Sequence, residues 1–136
     1  MEDQGNHRQN LGRKGEDIAC RHLEGIGHTI IERNWRSGHL EIDIISVNAE
    51  GIHFVEVKTR QKNIQARPQD NVNKTKQKRI VSASLGYLNT AQGLPRKDLE
   101  CFFDVVAITF ENGEADVEWI PQAFIPLYIE GINKQN

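Results

Sequence analysis

Two stretches of alternating residues, HLEIDIISV at 39–47 and GIHFVEVKTR at 51–60, hold the side chains with the clearest chemical capacity: Glu41 and Asp43 on the first, Glu56 and Lys58 on the second. Successive side chains of a strand take opposite faces. Glu41 and Asp43 therefore share a face opposite Ile42 and Ile44, and Phe54, Glu56 and Lys58 share one opposite Val55 and Val57. Only Asn48-Ala49-Glu50-Gly51 separates the runs, which predicts an antiparallel hairpin. A turn centred on Ala49-Glu50 sets Asp43 across from Glu56 and Glu41 across from Lys58. Directly opposed side chains have Cβ atoms roughly 4.5–5.5 Å apart. Two carboxylates at that range repel unless a proton or cation lies between them. A hard divalent ion relieves the repulsion, and Mg²⁺ takes one or two carboxylates while filling its other positions with water or substrate oxygens. The flanking Ile, Val and Phe imply that both faces are partly covered, and buried charge needs a partner or a metal. A solvated sheet face with an ordinary Glu41–Lys58 pair is the plainer alternative. It accounts for that pair, but not for an acid facing an acid.

Other residues bear on this pair less directly. Glu16 lies at the edge of a helical apolar stripe, beside Ala19 and Leu23, where a solvated flank is the commoner role. Lys76 precedes Ile80 by one helical turn, in line with a buried stripe, so it should point towards the sheet; snorkelling over the core edge is the alternative. The histidines (His7, His22, His28, His39, His53) show no HxxxH or HxH spacing, which argues against zinc. His39 and His53 lie on the hairpin, and a surface position is expected of both. No GxxxxGK[ST] is present and Gly12/Gly15 is too sparse for a dinucleotide loop, so no nucleotide cofactor is expected.

The elements that must position these groups follow from pattern. Leu11, Gly15, Ile18, Ala19, Leu23 and Ile26 form one stripe, predicting a helix from an Asn10 N-cap to Gly25 and Gly27. Residues 28–35 (HTIIERNW) read as a strand, followed by the hairpin strands, and residues 61–71 read as a polar loop. A second helix spans about Asn73 to Thr90. Strands at 100–110 and 114–120 are joined by Glu111-Asn112-Gly113. The order αβββαββ predicts an α/β fold with a helix-flanked mixed sheet. At 136 residues the chain suits one domain. Its expected parts are a disordered segment at 1–9, the folded domain at 10–120, and a tail at 121–136 that packs on the domain or a partner.

Charge is unevenly spread. The net charge is −2, yet residues 58–79 carry Lys58, Arg60, Lys62, Arg67, Lys74, Lys76, Lys78 and Arg79 against Asp70 alone. Such clustering is either a polyanion footprint or a solvated loop and helix face. No apolar run reaches the roughly 20 residues of a membrane helix. The polar start excludes a secretory signal, and two distant cysteines (Cys20, Cys101) suit a reducing cytoplasm.

The ordered set Gly12–Gly15-Glu16–Ala19, Asn34, Glu41-Ile42-Asp43-Ile44-Ile45, Phe54-Val55-Glu56-Val57-Lys58-Thr59-Arg60, Val72 with Lys76, and Phe103-Asp104-Val105 resembles the bacterial YraN-type family of the PD-(D/E)XK nuclease superfamily, related to Holliday-junction resolvases. Ile42 stands where the superfamily's nominal Pro would be, and Leu40 where the family usually has Gly, with Gly38 two positions earlier. The resemblance implies a restriction-endonuclease-like fold, DNA as substrate and a Mg²⁺- or Mn²⁺-dependent phosphodiesterase, with branched DNA a candidate substrate. Asp43 and Glu56 would hold the metal with the Val57 carbonyl, and Glu16 would bind through water or a second ion. Lys58 would orient the attacking water. Arg60, Lys62, Lys74, Lys76, Lys78 and Arg79 would hold the DNA backbone. A homodimer is expected from relatives that cut paired strands. A catalytically silent nucleic-acid-binding module of the same fold, and a protein-interaction domain, are the alternatives.

Overall fold

The computed structural model describes residues 4–62 and 73–124, with side chains from residue 10 onward. Val72 and Arg67 of the motif and basic run, and residues 125–136 of the tail, lie outside the described residues. The elements are α1 (Gln4–Gly25), β1 (Thr29–Ser37), β2 (Leu40–Val47), β3 (Ile52–Gln61), α2 (Lys74–Leu88), a short 3₁₀ turn (Leu94–Arg96), β4 (Cys101–Glu111) and β5 (Glu114–Ile120). This is the expected αβββαββ order. Among the described residues no helix is long and apolar enough to cross a membrane.

The helix start departs from expectation. Residues 4–9 are helical backbone, so Asn10 lies inside α1 and caps nothing. Gln and Arg are good helix formers and no proline interrupts the segment, so the helix extends beyond its apolar stripe. At the other end Gly27 has φ +100°, and the His28 and Gly27 amides donate to the Leu23 and Glu24 carbonyls. These are the two bonds of a Schellman cap, which turns the chain straight into β1.

The sheet has spatial order β1-β2-β3-β4-β5. All neighbours are antiparallel except β3 and β4, which pair in parallel from Ile52↔Cys101 to Gln61↔Phe110. A parallel pair needs a crossover connection, and α2 lies within it. The β4–β5 hairpin closes through Asn112 (φ +50°) and Gly113 (φ +79°), the pair of positive φ values that a tight two-residue turn requires.

Both faces of the sheet are covered. Under α2, Ile45, Ile52, Phe54 and Phe103 pack with Ile80, Val81, Ala83 and Tyr87. Under α1, Ile44, Val55, Val106 and Ile108 pack with Ala19, Cys20 and Leu23. Hence β3 is buried at both parities at its start, as a strand covered on two sides must be. Gly15 lets α1 pass close over β3: a Cβ there would overlap Thr59 Cγ2. This approach sets the height of α1 above the sheet, and with it the position of the next residue, Glu16.

Candidate active site

The hairpin register is the expected one over Ile44↔Val55, Ile45↔Phe54, Ser46↔His53 and Val47↔Ile52. There it stops. Beyond Ile44 and Val55 the two strands part, β2 staying with β1 and β3 with β4, and a fork opens in the sheet. The expected backbone pairing of Asp43 with Glu56 and of Glu41 with Lys58 is therefore absent. Asp43 instead takes the Val57 amide on its Oδ2 at 2.8 Å, so a side chain occupies the place of the next ladder bond. Glu41 turns to β1, where Arg36 lies 3.6 Å from it.

Across β2 from Asp43 stands Asn34, flanked by the pairs Arg33↔Ile44 and Trp35↔Ile42. Asn34 has φ +51°, which few residues besides Gly, Asn and Asp tolerate. Ile42 and Ile44, two positions apart, accordingly pack into different clusters, so β2 shows no single flat face through Asp43. The Asn34 amide donates to Glu16 Oε2 at 2.9 Å. Glu16, only 18% exposed, is thus no solvated flank; Arg33 lies 3.9 Å from it and bonds Asp17 at 2.7 Å. Asn34 is a site residue that pattern reading alone does not single out. Its signal is an Asn inside an otherwise β-forming run.

The carboxyl groups of Asp43 and Glu56 interact directly inside the fork. Burial first, then the charge of Glu56, push Asp43 up to about 8; the Val57 amide works against this, and Glu16 adds to it. Lys76, the third residue of α2, places Nζ 2.5 Å from Glu56 Oε1. Its direction towards the sheet matches the helical phase, and the helix begins on an Asn73 cap whose Oδ1 takes the Lys76 amide at 2.9 Å. Lys58 follows Glu56 by two positions on β3 and is half-buried. The fork is therefore entered from one side by Glu16 on α1 and from the other by Lys76 on α2.

Of the other basic positions, Lys74, Lys78 and Arg79 are exposed on the first turns of α2. Arg60 reaches Thr109 at 3.4 Å, and Lys62 pairs with Glu111 at 3.2 Å. Among the described residues the basic run thus lies along the end of β3 and the start of α2, with Lys76 reaching the fork.

The donor set suits a hard divalent cation. Two carboxyl groups crowd each other, burial and that crowding raise the pKa of Asp43, and an ammonium already sits on Glu56. In a strand both polar groups of a residue point to the same edge, so the Val57 carbonyl faces the fork beside its amide. Among the described residues no three His, Cys, Asp or Glu side chains are gathered closely enough to hold an ion alone. An ion here would take Asp43, Glu56 and the Val57 carbonyl, with water or substrate oxygens completing the shell, as Mg²⁺ commonly does.

The other end of the hairpin overturns the expectation that His53 is a surface residue. His53 and His28 are buried, whereas His39 is exposed as expected. His53 Nδ1 lies 2.6 Å from Asp104 Oδ2 and Nε2 lies 2.9 Å from Asn48 Oδ1. Asp104 also accepts from Trp119 Nε1 and the Gln122 amide. Asn48 Oδ1 accepts from the Glu50 and Gly51 amides and closes the turn. His28 bonds Ser46 Oγ at 2.8 Å, and its ring stands 4.4 Å from that of His53. Residue 53 shares its parity with Val55 on a face that α1 covers, which is why alternation around a charged-looking hairpin misplaces it.

A mixed sheet in this order, with an acid on its second strand and Glu-Val-Lys on its third, defines a PD-(D/E)XK-like α/β protein. The chain belongs to the uncharacterised protein family UPF0102, the YraN family, whose model matches residues 15–108. It is similar to a UPF0102 protein of Bacteroides thetaiotaomicron, 38% identical over 85% of this chain and 93% of the relative. One from Chlorobaculum tepidum is 43% identical over 72% and 74%. One from Desulforapulum autotrophicum is 41% identical over 88% and 96%. Among solved structures, a protein of unknown function from Silicibacter pomeroyi aligns over 91% of this chain and 79% of its own at 14% identity, with a TM-score of 0.34, too slight to bear on fold or function.

Proposed function

We propose that the protein is a divalent-metal-dependent DNA endonuclease that hydrolyses phosphodiesters, with branched DNA a candidate substrate. The observation that carries this reading is the fork itself: two mutually repelling carboxylates held in a gap of the sheet, with a lysine two residues beyond the second. A covered acid pair is costly to maintain, and such arrangements cluster where chemistry is done. Mg²⁺ or Mn²⁺ bound there would polarise the scissile phosphate and lower the pKa of a bound water. Asp43, Glu56 and the Val57 carbonyl hold the ion. Glu16, fixed by Asn34, orients a water or a second ion. Lys58 positions the attacking water and offsets charge on the phosphate. Arg60, Lys62, Lys74, Lys76, Lys78 and Arg79 contact the DNA backbone, which positions the substrate without reading its sequence. Two free thiols fit a reducing compartment such as the cytoplasm. A homodimer would let two forks address paired strands.

The second reading is a silent nucleic-acid-binding module, and the Lys76–Glu56 pair favours it, since a permanent ammonium partner would make the acid pair structural. One experiment separates the two: incubation with branched, duplex and single-stranded DNA in Mg²⁺, Mn²⁺ or EDTA. Cleavage that requires the ion and is lost in Asp43→Asn and Lys58→Ala supports the enzyme. Binding without cleavage by the wild type in either metal supports the silent module. Replacing Lys74, Lys76 and Lys78 together by Ala should flatten the fall of affinity with salt, by about 0.9 in log–log slope for each duplex phosphate no longer neutralised.

A further inference from the structure

We infer that Lys76 is the resident counter-ion of the fork: its ammonium holds Glu56 while no metal is bound, gives way to the divalent cation, and is thereby released to a substrate phosphate. This rests on the reading of Asp43 and Glu56 as metal ligands. The geometry that points to it is an asymmetry within the ion pair. Glu56 is 10% exposed and cannot leave, because β3 is hydrogen-bonded along its length to β4. Lys76 is 44% exposed, on a flexible four-carbon stem, in the first turn of a helix. Its Nζ and a divalent cation would compete for the same oxygen, Glu56 Oε1, and two cations there would repel. A lysine displaced from that oxygen has solvent on its other side, and its neighbours on the exposed helix surface, Lys74, Lys78 and Arg79, are also basic. A phosphate approaching them is its natural next partner. Cation entry and substrate engagement are thus coupled through one side chain.

The test is metal binding without turnover. Mn²⁺ affinity is measured by calorimetry on the full chain, without DNA, for the wild type, Lys76→Gln, Lys76→Arg and Asp43→Asn. The glutamine variant removes the competing charge from a half-exposed position and should bind Mn²⁺ about threefold or more tightly, the scale of an ordinary ion pair. The arginine variant keeps a cation there and should stay within about twofold of the wild type. The Asp43→Asn variant should lose most of its affinity. If Lys76→Gln binds Mn²⁺ no better than the wild type while Asp43→Asn still abolishes binding, the metal site stands and the counter-ion role of Lys76 is overturned. If Mn²⁺ binds none of the four, or binds all alike, the metal-site reading fails and this inference falls with it. A second readout follows the released charge. With Mn²⁺ present, the log–log salt slope of wild-type DNA binding should steepen by about one phosphate's worth, and in Lys76→Gln it should not.

Discussion

The hairpin of β2 and β3 carries a buried polar cluster at each end, and the two are built on opposite principles. At the turn end, His53, Asp104, Asn48, His28 and Ser46 form a network in which donors meet acceptors, with Trp119 and the Gln122 amide filling the rest of Asp104. At the fork end, the carboxyl groups of Asp43 and Glu56 face one another, with the Val57 amide on the first and the half-exposed Lys76 ammonium on the second. A satisfied buried network makes a fold specific and rigid. A crowded one is unfinished, and under the proposed function a cation from outside would complete it. The same pair of strands therefore supplies a structural lock and a candidate reaction site, and hydrogen-bond balance tells them apart where residue type does not.

The largest expected effect is at the lock. Asp104→Ala strips the acceptor from one buried and two part-buried hydrogen bonds and should cost roughly 3–5 kcal/mol in urea unfolding, with Mn²⁺ restoring none of it. A loss below about 1 kcal/mol would mean that the network is not what holds this end together.

The next effect is at the fork and depends on pH. The folded-state pKa of Asp43 is raised from 3.8 to about 8, so the folded protein binds a proton that the unfolded chain releases. Metal-free stability should consequently fall as pH rises from about 4 to 8. In Asp43→Asn that decline should disappear, making the variant the more stable protein at pH 8.5 and close to wild type at pH 4. Thermal melts in EDTA across that range check it, and a variant no more stable at pH 8.5 would mean that the acid pair carries no strain.

The lock has the opposite slope. Burial, then the neighbouring His53, lower the pKa of His28 from 6.5. The unfolded chain therefore takes up a proton that the folded one resists, and stability is lost as pH falls below about 6.5. His28→Gln should cost about 1 kcal/mol at pH 7.5 through the lost Ser46 bond and should blunt that acid decline. An undiminished decline would place its origin elsewhere. The smallest effect belongs to Glu41, which pairs with Arg36 at the surface. Glu41→Gln should change stability by less than about 0.5 kcal/mol and leave Mn²⁺ binding unchanged, whereas a loss of binding would extend the site along β2.

Much of this is legible in the residues. Alternation and a short turn are strong local signals, so element order and the register from Ile44↔Val55 to Val47↔Ile52 follow from them directly. The convergence of Asp43 and Glu56 is expected from an extended ladder that does not exist; their side chains meet because the ladder fails. That failure comes with a side-chain bond to the Val57 amide, beside a left-handed Asn34 on the neighbouring strand, and neither has a period. The lock is invisible for a related reason. His53 reaches Asp104 across 51 positions of chain, a contact made by the parallel β3–β4 pairing that no local pattern encodes.

A sheet ordinarily has two margins, and at the fork this one has four. The inner margins of β2 and β3 expose backbone groups that in most sheets would recruit one another or a stray strand. Proteins defend such margins with inward-pointing charge, and Asp43 does so here by wedging its carboxylate onto the first amide the partner strand would need. The gap is thus kept open by the same side chain that the proposed function assigns to the metal. Any replacement of Asp43 by a β-branched apolar residue invites the hairpin to zip two pairs further, converting a cleft into continuous sheet.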